Sequence, residues 1–329
     1  MLESRRTPRN VMAIVFIGTP TFAVPSIERL FTEGHEISAV ITQPDRPAGR
    51  GRQPRTPAVK LAAERLGLTV LQPESLRSPD AIARIRGLSP ECIVAVAYGQ
   101  ILRQELIDIP PRGVVNVHPS LLPRYRGASP IASAILAGDE TTGVTIMLMD
   151  AGMDTGPVLL QQPHPIDPED TTGTLSEKLS IFGAGLLVDA LQRWLRGEIA
   201  PAPQDDSQAT TTSLLRKEDG RIDWTRTAVA IWRQIRACNP WPGAYTHLRG
   251  DQVNIWTAWP LDAESGNAPG TVVHLTQEQQ ANTPGSPPFA IQTGIGLLAV
   301  RELQRAGRRT LQAAEFLRGM PGFIGSQLN

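Results

Sequence analysis

Residues 113–127 read GVVNVHPSLLPRYRG, a mostly apolar run that changes abruptly into a loop with two prolines and a glycine. Such a change is typical of a buried strand that ends at a cleft. Asn116 and His118 stand two positions apart, so a strand would point both side chains to the same face. Taken alone, the pair also fits a turn asparagine and a surface histidine. The rest of the chain must decide between the two interpretations.

Short apolar runs alternate with amphipathic segments before this stretch. Strands separated by helices imply crossover connections and a mostly parallel sheet covered on both faces. We therefore predict an α/β fold with a doubly wound, mostly parallel sheet, whose ligands bind at the carboxyl ends of the strands. The turn at Gly18 lacks the further glycines of a dinucleotide fingerprint, which argues against a nicotinamide cofactor. The apolar runs cover residues 11–17, 37–42, 69–71 and 92–97, and the helical segments cover 25–31, 58–66 and 80–85.

The pattern changes near residue 200. A long amphipathic helix over 175–195 precedes a polar, proline-bearing segment, and short β-type runs broken by Gly and Pro follow. We predict a catalytic domain over residues 12–200, a linker over 201–212 and a C-terminal OB-like β-barrel over 213–329. Residues 1–11 are largely basic and polar and are predicted to be a disordered extension.

Composition narrows the class of protein. The 329 residues include 32 Lys and Arg against 32 Asp and Glu, so affinity for a polyanion must come from local basic patches. Two widely separated cysteines indicate a reduced, cytoplasmic protein without a disulfide framework. No apolar run reaches the roughly 18 residues of a membrane helix. The remaining histidines show no metal-ligand spacing, so no metal is expected.

Asp154 is a third polar group that can reach the same cleft. It lies in a Gly-rich loop after a strand predicted at 143–149, which we expect to be parallel to its neighbours. A carboxylate near His118 would orient the ring and favour its protonated form, although Asp154 alone also fits a turn. Asn116, His118 and Asp154 together suit the attack of an amine on a carbonyl-level carbon. A hydrolase triad with Ser120 as nucleophile is disfavoured, because Ser120 lies in no Gly-x-Ser-x-Gly elbow.

A basic loop follows the second predicted strand. Residues 42–56 hold four arginines and one acid, and the segment is too long for a routine strand-to-helix connection. Arg46, Arg50 and Arg52 can bind a phosphate backbone, although a charge run also fits a solvated loop. Lys217 offers a further phosphate contact in the second domain.

With these residues assembled, the chain resembles the methionyl-tRNA formyltransferases along nearly its whole length. The central stretch and the Asp154 loop are shared with other folate-dependent transformylases, whereas the basic loop and the Asn-Pro-Trp-Pro run single out the tRNA-directed branch. The matching blocks are VFIGTP at 15–20, TQPDRPAGRG at 42–51, VAYG at 96–99, the stretch 116–127, GVTIM at 143–147, DTG at 154–156, RIDW at 221–224 and IRACNPWP at 235–242.

This resemblance implies formyl transfer from 10-formyltetrahydrofolate to the α-amino group of methionyl initiator tRNA, in support of translation initiation. It assigns catalysis to Asn116, His118 and Asp154, and contact with the tRNA acceptor end to Arg50. The expected protein is a cytoplasmic monomer without a metal or a membrane segment. The resemblance also implies a folate contact from Ser120, Leu121, Leu122 and Pro123.

Two alternatives remain at this stage. A transformylase acting on a small amine would leave the basic loop and the second domain without a role. An RNA-binding module that has lost its chemistry is disfavoured, because Asn116, His118 and Asp154 are all present.

Overall fold

The structure is a computed structural model that describes residues 11–48 and 53–329. Most of the predicted N-terminal extension, and Arg50 and Arg52 of the basic loop, lie outside the described residues. The chain divides into two compact units. Unit 1 holds the described residues of Met1–Pro130, Thr141–Pro165 and Ser176–Thr212, and unit 2 holds Ile131–Glu140, Ile166–Leu175 and Ser213–Asn329.

The first 212 residues contain the strands and helices that the apolar pattern predicts, with small shifts at their ends. Their strands are β1 (Ala13–Gly18), β2 (Glu36–Ile41), β3 (Arg46–Ala48), β4 (Gln53–Arg55), β5 (Val70–Leu71), β6 (Cys92–Val96), β7 (Val114–His118), β8 (Arg126–Gly127), β9 (Thr141–Leu148), β10 (Val158–Pro165) and β11 (Thr211–Thr212). Their helices are α1 (Val24–Thr32), α2 (Ala58–Arg65), α3 (Pro79–Gly87), α4 (Gln104–Ile107), α5 (Pro130–Ala137) and α6 (Thr172–Leu195).

The main sheet of unit 1 runs in the order β10-β9-β7-β6-β1-β2-β5. Strands β5, β2, β1, β6 and β7 are parallel to one another. Every residue of β6 and all but the first of β1 are buried, because a parallel sheet is covered on both faces. The predicted doubly wound α/β fold is therefore confirmed.

Strand β9 differs from the prediction, because it runs antiparallel to both β7 and β10. Asp154 therefore does not follow a parallel strand, and that part of the expectation was wrong. The sequence pattern could not reveal the direction of β9, because an apolar run looks the same in a parallel and in an antiparallel strand. Strand β9 ends at Leu148, opposite Val115, whereas His118 lies opposite Thr145. The chain after β9 must accordingly return along β7 before it reaches His118.

Helix α6 supports the strand that carries Asn116 and His118. A Cβ atom added at Gly183 would lie 3.1 Å from Val117 Cγ1 and 3.3 Å from Val144 Cγ1. The glycine thus lets the helix approach β7 and β9 closely and hold their backbones in place.

Unit 2 contains a curled antiparallel sheet in the order β12-β13-β16-β15-β14, with β17 also paired to β16. The predicted OB-like domain is confirmed. Its core includes Trp224, Phe289 and Phe323, and the two phenylalanine rings meet edge to face at 5.2 Å. The elements are α7 (Ala228–Ala237), β12 (Ala244–Leu248), β13 (Asp251–Leu261), β14 (Val272–His274), α8 (Gln277–Ala281), β15 (Phe289–Gln292), β16 (Leu297–Arg305), β17 (Leu311–Gln312) and α9 (Ala313–Arg318).

Two predicted loop regions contain regular structure. The ends of the basic loop pair as the antiparallel strands β3 and β4. Residues 201–212, expected as a linker, are part of unit 1, where β11 pairs with β8 and Ala202 forms a bridge with Val158. Among the described helices, none is both long enough and apolar enough to cross a bilayer.

Candidate active site

Strand β7 lies between β6 and β9 and presents Asn116 and His118 near its carboxyl end. Asn116 pairs with Ala95 on one side and with Met147 on the other. Its side chain is half-buried, and it makes no hydrogen bond to any other residue that the structure describes. A half-buried amide without a partner retains its full capacity to donate to a ligand.

The tautomer of His118 follows from its hydrogen bond. Its Nε2 atom lies 3.0 Å from the carbonyl oxygen of Tyr125, so Nε2–H donates to this carbonyl. The other ring nitrogen, Nδ1, lies 3.6 Å from Asp154 Oδ2. In the neutral ring Nδ1 therefore carries the lone pair, and it faces the carboxylate across a gap slightly longer than a hydrogen bond.

Burial decides the charge of this histidine. The His118 side chain is 5% exposed, and the resulting desolvation lowers its pKa below the ordinary value. The carboxylate of Asp154 and the carbonyl of Tyr125 act in the opposite direction, as expected from the sequence, but burial outweighs them. His118 is thus neutral near pH 7, although the carboxylate that the sequence placed beside it favours the protonated form.

Asp154 is held in an unusual backbone conformation. Its φ angle is 55°, in the left-handed region that non-glycine residues rarely adopt. Its Oδ2 atom accepts a hydrogen bond of 2.8 Å from the backbone N–H of Gly127. The loop is closed by Leu148 N–H, which donates to the Pro157 carbonyl at 2.9 Å. This closed loop is what returns the carboxylate to His118.

The turn predicted to bind folate is partly internal. Ser120 is fully buried, and its hydroxyl donates to the Arg124 carbonyl at 2.6 Å. Leu122 is also buried, whereas Leu121 and Pro123 are partly exposed and available to a ligand. The engaged hydroxyl of Ser120 leaves no nucleophile for the hydrolase alternative.

Of the predicted tRNA contacts, Arg46 and Lys217 are among the described residues. Arg46 is exposed in unit 1, and Lys217 is exposed in a 3₁₀ turn of unit 2. Asp45, the one acid of the basic loop, accepts hydrogen bonds from Lys60 at 2.7 Å and from Gln72 at 2.8 Å. These bonds lower the pKa of Asp45 and anchor the base of the loop.

Several residues of the site were not predicted. The carbonyl of Tyr125 and the N–H of Gly127 fix the two catalytic candidates through the backbone, which carries no side-chain signal. Arg126 and Gln204 join the same network. The glycine of the RYRG run was a visible cue for a turn, but nothing in the sequence around Gln204 pointed to this site. Within the described part of the chain, no group of His, Cys, Asp and Glu residues is arranged to hold a metal ion.

We expect Gly127→Ala to lower activity at least about tenfold, because a 1 Å shift of a catalytic group can cost that much or more. Gly127 has a φ of 110°, and an added Cβ would lie 2.4 Å from the Thr212 carbonyl oxygen, so the N–H that binds Asp154 must move. Gly34→Ala is the matched control, since Gly34 also has a positive φ of 84° but open space around it. The control should lose only about 1–2 kcal/mol of unfolding free energy. Equal activity of the two variants would contradict the role of Gly127.

Comparison with known proteins defines the class. A family model described as formyl transferase matches residues 12–191, and one described as formyl transferase, C-terminal domain, matches residues 214–321. The fold and these matches together define a formyl-transferring enzyme.

Curated relatives narrow the class further. The methionyl-tRNA formyltransferase of Chloroflexus aurantiacus (strain ATCC 29366 / DSM 635 / J-10-fl) is 49% identical over 309 residues, which cover 94% of this chain and 97% of the relative. The methionyl-tRNA formyltransferase of Solibacter usitatus (strain Ellin6076) is 46% identical, with 94% and 96% covered. The chain belongs to the methionyl-tRNA formyltransferase family.

Solved structures share the fold at low sequence identity. HypX from Aquifex aeolicus in complex with tetrahydrofolic acid has a TM-score of 0.63 and 20% identity over 94% of this chain, which spans 47% of HypX. WlaRD, a sugar 3N-formyl transferase, has a TM-score of 0.64 and 19% identity, with 91% of this chain and 100% of WlaRD covered. At these identities the likeness concerns the fold alone.

Proposed function

We propose that this chain transfers a formyl group from 10-formyltetrahydrofolate to the α-amino group of methionyl initiator tRNA, in support of translation initiation. The observation that carries the proposal is the buried His118, whose Nδ1 lies 3.6 Å from Asp154 Oδ2. The strand of His118 also presents the Asn116 amide, which has no hydrogen-bond partner among the described residues. Family membership and the names of the curated relatives support the same substrate.

Each side chain of the set has a distinct role. When bound, 10-formyltetrahydrofolate supplies an electrophilic formyl carbon. The Asn116 amide donates to the oxygen of this formyl group as negative charge develops there. His118 Nδ1 takes a proton from the attacking amine, and Asp154 stabilises the imidazolium that results. His118 then returns the proton to the leaving nitrogen of the folate, so that the carbon–nitrogen bond breaks without a net change of charge on the protein.

The proton transfer does not demand a strong base. A reference α-amino group has a pKa of roughly 7.7–8.0, so much of the substrate amine is neutral near the pH of the cell. Burial lowers the pKa of His118 and keeps Nδ1 free to accept. The lone pair of His118 Nδ1 and the carboxylate of Asp154, on the same side of the amine, are thus suited to an α-amino group as the formyl acceptor.

The folate would lie against the turn at residues 120–123. Leu121 and Pro123 are its partly exposed members, and they can cover an aromatic ring without being displaced from the core. Ser120 and Leu122 support the turn from the protein interior, because hydrogen bonds between their backbone groups and the Thr145 hydroxyl hold the turn in place.

The decisive assay supplies the protein with 10-formyltetrahydrofolate and methionyl initiator tRNA. We expect formylmethionyl-tRNA at enzyme-like rates, and uncharged initiator tRNA should act as a competitor. An amino sugar nucleotide serves as the control acceptor. Formylation of the sugar but not of the tRNA, or indifference to the uncharged tRNA, would contradict the proposal.

We propose phosphate contacts from Arg46, Arg50, Arg52 and Lys217. Each substitution by alanine should raise KM for the tRNA with little change in kcat, and should reduce the slope of log affinity against log salt by about one. Arg86→Ala removes the same charge from an exposed position at the end of helix α3 and is the control. An unchanged salt slope in all four variants would argue against a phosphate role.

A further inference from the structure

The segment predicted as a linker is joined to the active site by backbone hydrogen bonds. Thr210 accepts at its carbonyl from Arg126 N–H at 2.9 Å, and its own N–H donates to the Pro123 carbonyl at 3.2 Å. The hydroxyl oxygen of Thr210 accepts from Tyr125 N–H at 2.8 Å. The parallel pairing of β11 with β8 continues these contacts. The chain over 204–212 therefore follows the segment that holds both His118 and Asp154.

Gln204 uses all the hydrogen-bonding capacity of its amide on this network. Its Nε2 donates to the carbonyl oxygens of Asp154 at 2.8 Å and Gly156 at 2.7 Å. Its Oε1 accepts from Arg126, at 3.1 Å from Nε and 2.8 Å from Nη2. One side chain thus connects the Asp154 loop with the segment that follows the folate turn.

The two connected segments each contain a residue in a strained conformation. Tyr125 and Asp154 have φ angles of 61° and 55°. Residues in this region persist only when the surrounding structure holds them there. The Tyr125 carbonyl receives the His118 N–H, and the Asp154 carboxylate faces the other nitrogen of the same ring. A bridge between the two segments therefore controls both sides of His118.

Arg126 reinforces the bridge from within the protein. Its side chain is 9% exposed, and beyond Gln204 it binds Asp206 Oδ1 at 2.7 Å. A buried guanidinium needs partners that satisfy its fixed fork of donors, so it holds the Gln204 amide in one orientation. That orientation directs Nε2 toward Asp154 and Gly156.

We propose that Gln204, oriented by Arg126, is a positioning residue for the His118–Asp154 pair, so that the 204–206 segment is part of the catalytic apparatus. The proposal rests on the proposed function, because it takes this pair as catalytic. Gln204 acts through the backbone of the Asp154 loop and does not touch the substrate.

Two variants distinguish the positioning of the Asp154 loop from a role of Gln204 in binding Arg126 alone. Gln204→Glu keeps an acceptor for the guanidinium but removes both N–H donors to the Asp154 and Gly156 carbonyls. Gln204→Met keeps the length and removes every hydrogen bond. We expect both variants to lose about 10- to 100-fold in kcat, since small displacements of catalytic groups have effects of this size. KM for folate and for tRNA should change little.

The pH profile of kcat/KM is a measurement that a purely structural role of Gln204 would leave unchanged. Among the described residues, Asp154 is the charged group that acts on His118, and the Tyr125 carbonyl is its polar partner. If the Asp154 loop loosens, the carboxylate no longer raises the pKa of His118. The acid limb of kcat/KM should therefore move to lower pH in both Gln204 variants.

Gln208→Met is the matched control, because Gln208 lies in the same segment and, among the described residues, its side chain binds only the exposed Asp205. It should keep the parent kcat and pH profile. A Gln204→Glu variant with parent kcat and acid limb would overturn the proposal, as would an equal loss in Gln208→Met. Two further results distinguish the levels of the argument. A parent protein that does not formylate methionyl-tRNA would overturn the proposed function, and full activity of Asp154→Asn would overturn the catalytic role of the pair. An inactive Asp154→Asn beside fully active Gln204 variants would overturn only this inference.

Discussion

Replacement of His118 by glutamine is expected to lower kcat by about 10²- to 10⁴-fold, the range usual for loss of a general acid–base group. Glutamine can still donate an N–H to the Tyr125 carbonyl, so the local fold should survive. It has no basic lone pair to take the proton of the amine. The measurement is single-turnover formylation of methionyl-tRNA at saturating folate donor.

The pH dependence of kcat/KM provides a second test of the role of His118. Burial lowers the pKa of His118 below its reference value of 6.5, so the ring is neutral at pH 7. As pH falls through the lowered pKa, the ring becomes protonated and kcat/KM of the parent should decline. The residual activity of His118→Gln should lack this acid limb. A variant with the parent rate, or with the same acid limb, would show that another group takes the proton.

Replacement of Asn116 is expected to have the second largest effect. Loss of one oxyanion donor typically costs about 10²- to 10³-fold in kcat, and we expect Asn116→Ala to fall in this range. Asn116→Asp should be more severe, because it places a negatively charged acceptor where the developing oxyanion requires a donor. The amide has no partner among the described side chains and backbone groups, so neither change breaks a hydrogen bond of the resting protein.

Binding and chemistry can be separated for these variants. Thermal unfolding with a folate analogue reports binding, since a ligand that binds only the folded state raises the unfolding midpoint. The parent and Asn116→Ala should show similar shifts, and only turnover should differ. If Asn116→Ala keeps its turnover but loses the folate shift, the amide holds the ligand and does not stabilise the transition state.

The sequence predicted the elements well where burial has a local pattern. The helix predicted at 58–66 and the strand predicted at 92–97 agree with α2 and β6 to within about one residue, and the strand predicted at 11–17 agrees with β1 to within about two residues. Short elements such as β12 and α4 were missed, because a few residues carry too little periodicity. The segment 201–212 has the composition of a linker, but its hydrogen bonds to residues 123–129 depend on partners distant in the chain.

The sequence by itself determined that Asn116 and His118 share one face of a strand end, because side chains alternate with a period of two residues wherever a strand forms. It also identified Asp154 as a group that reaches His118, and its blocks carried the resemblance to the tRNA-directed formyltransferases. Only the tertiary structure decided how the carboxylate of Asp154 reaches His118. The antiparallel β9 would carry its loop away from His118, and the closed loop with its left-handed Asp154 returns the carboxylate.

Tertiary structure also decided the charge of His118 and the role of Gln204. A neighbouring carboxylate favours an imidazolium, and the sequence suggested that neighbour, but desolvation depends on how many distant segments cover the ring. The Gln204 amide likewise meets Arg126, Asp154 and Gly156 only after the chain has folded. Local alternation can be read from consecutive residues, whereas burial and long-range hydrogen bonds arise only from the packing of the whole unit.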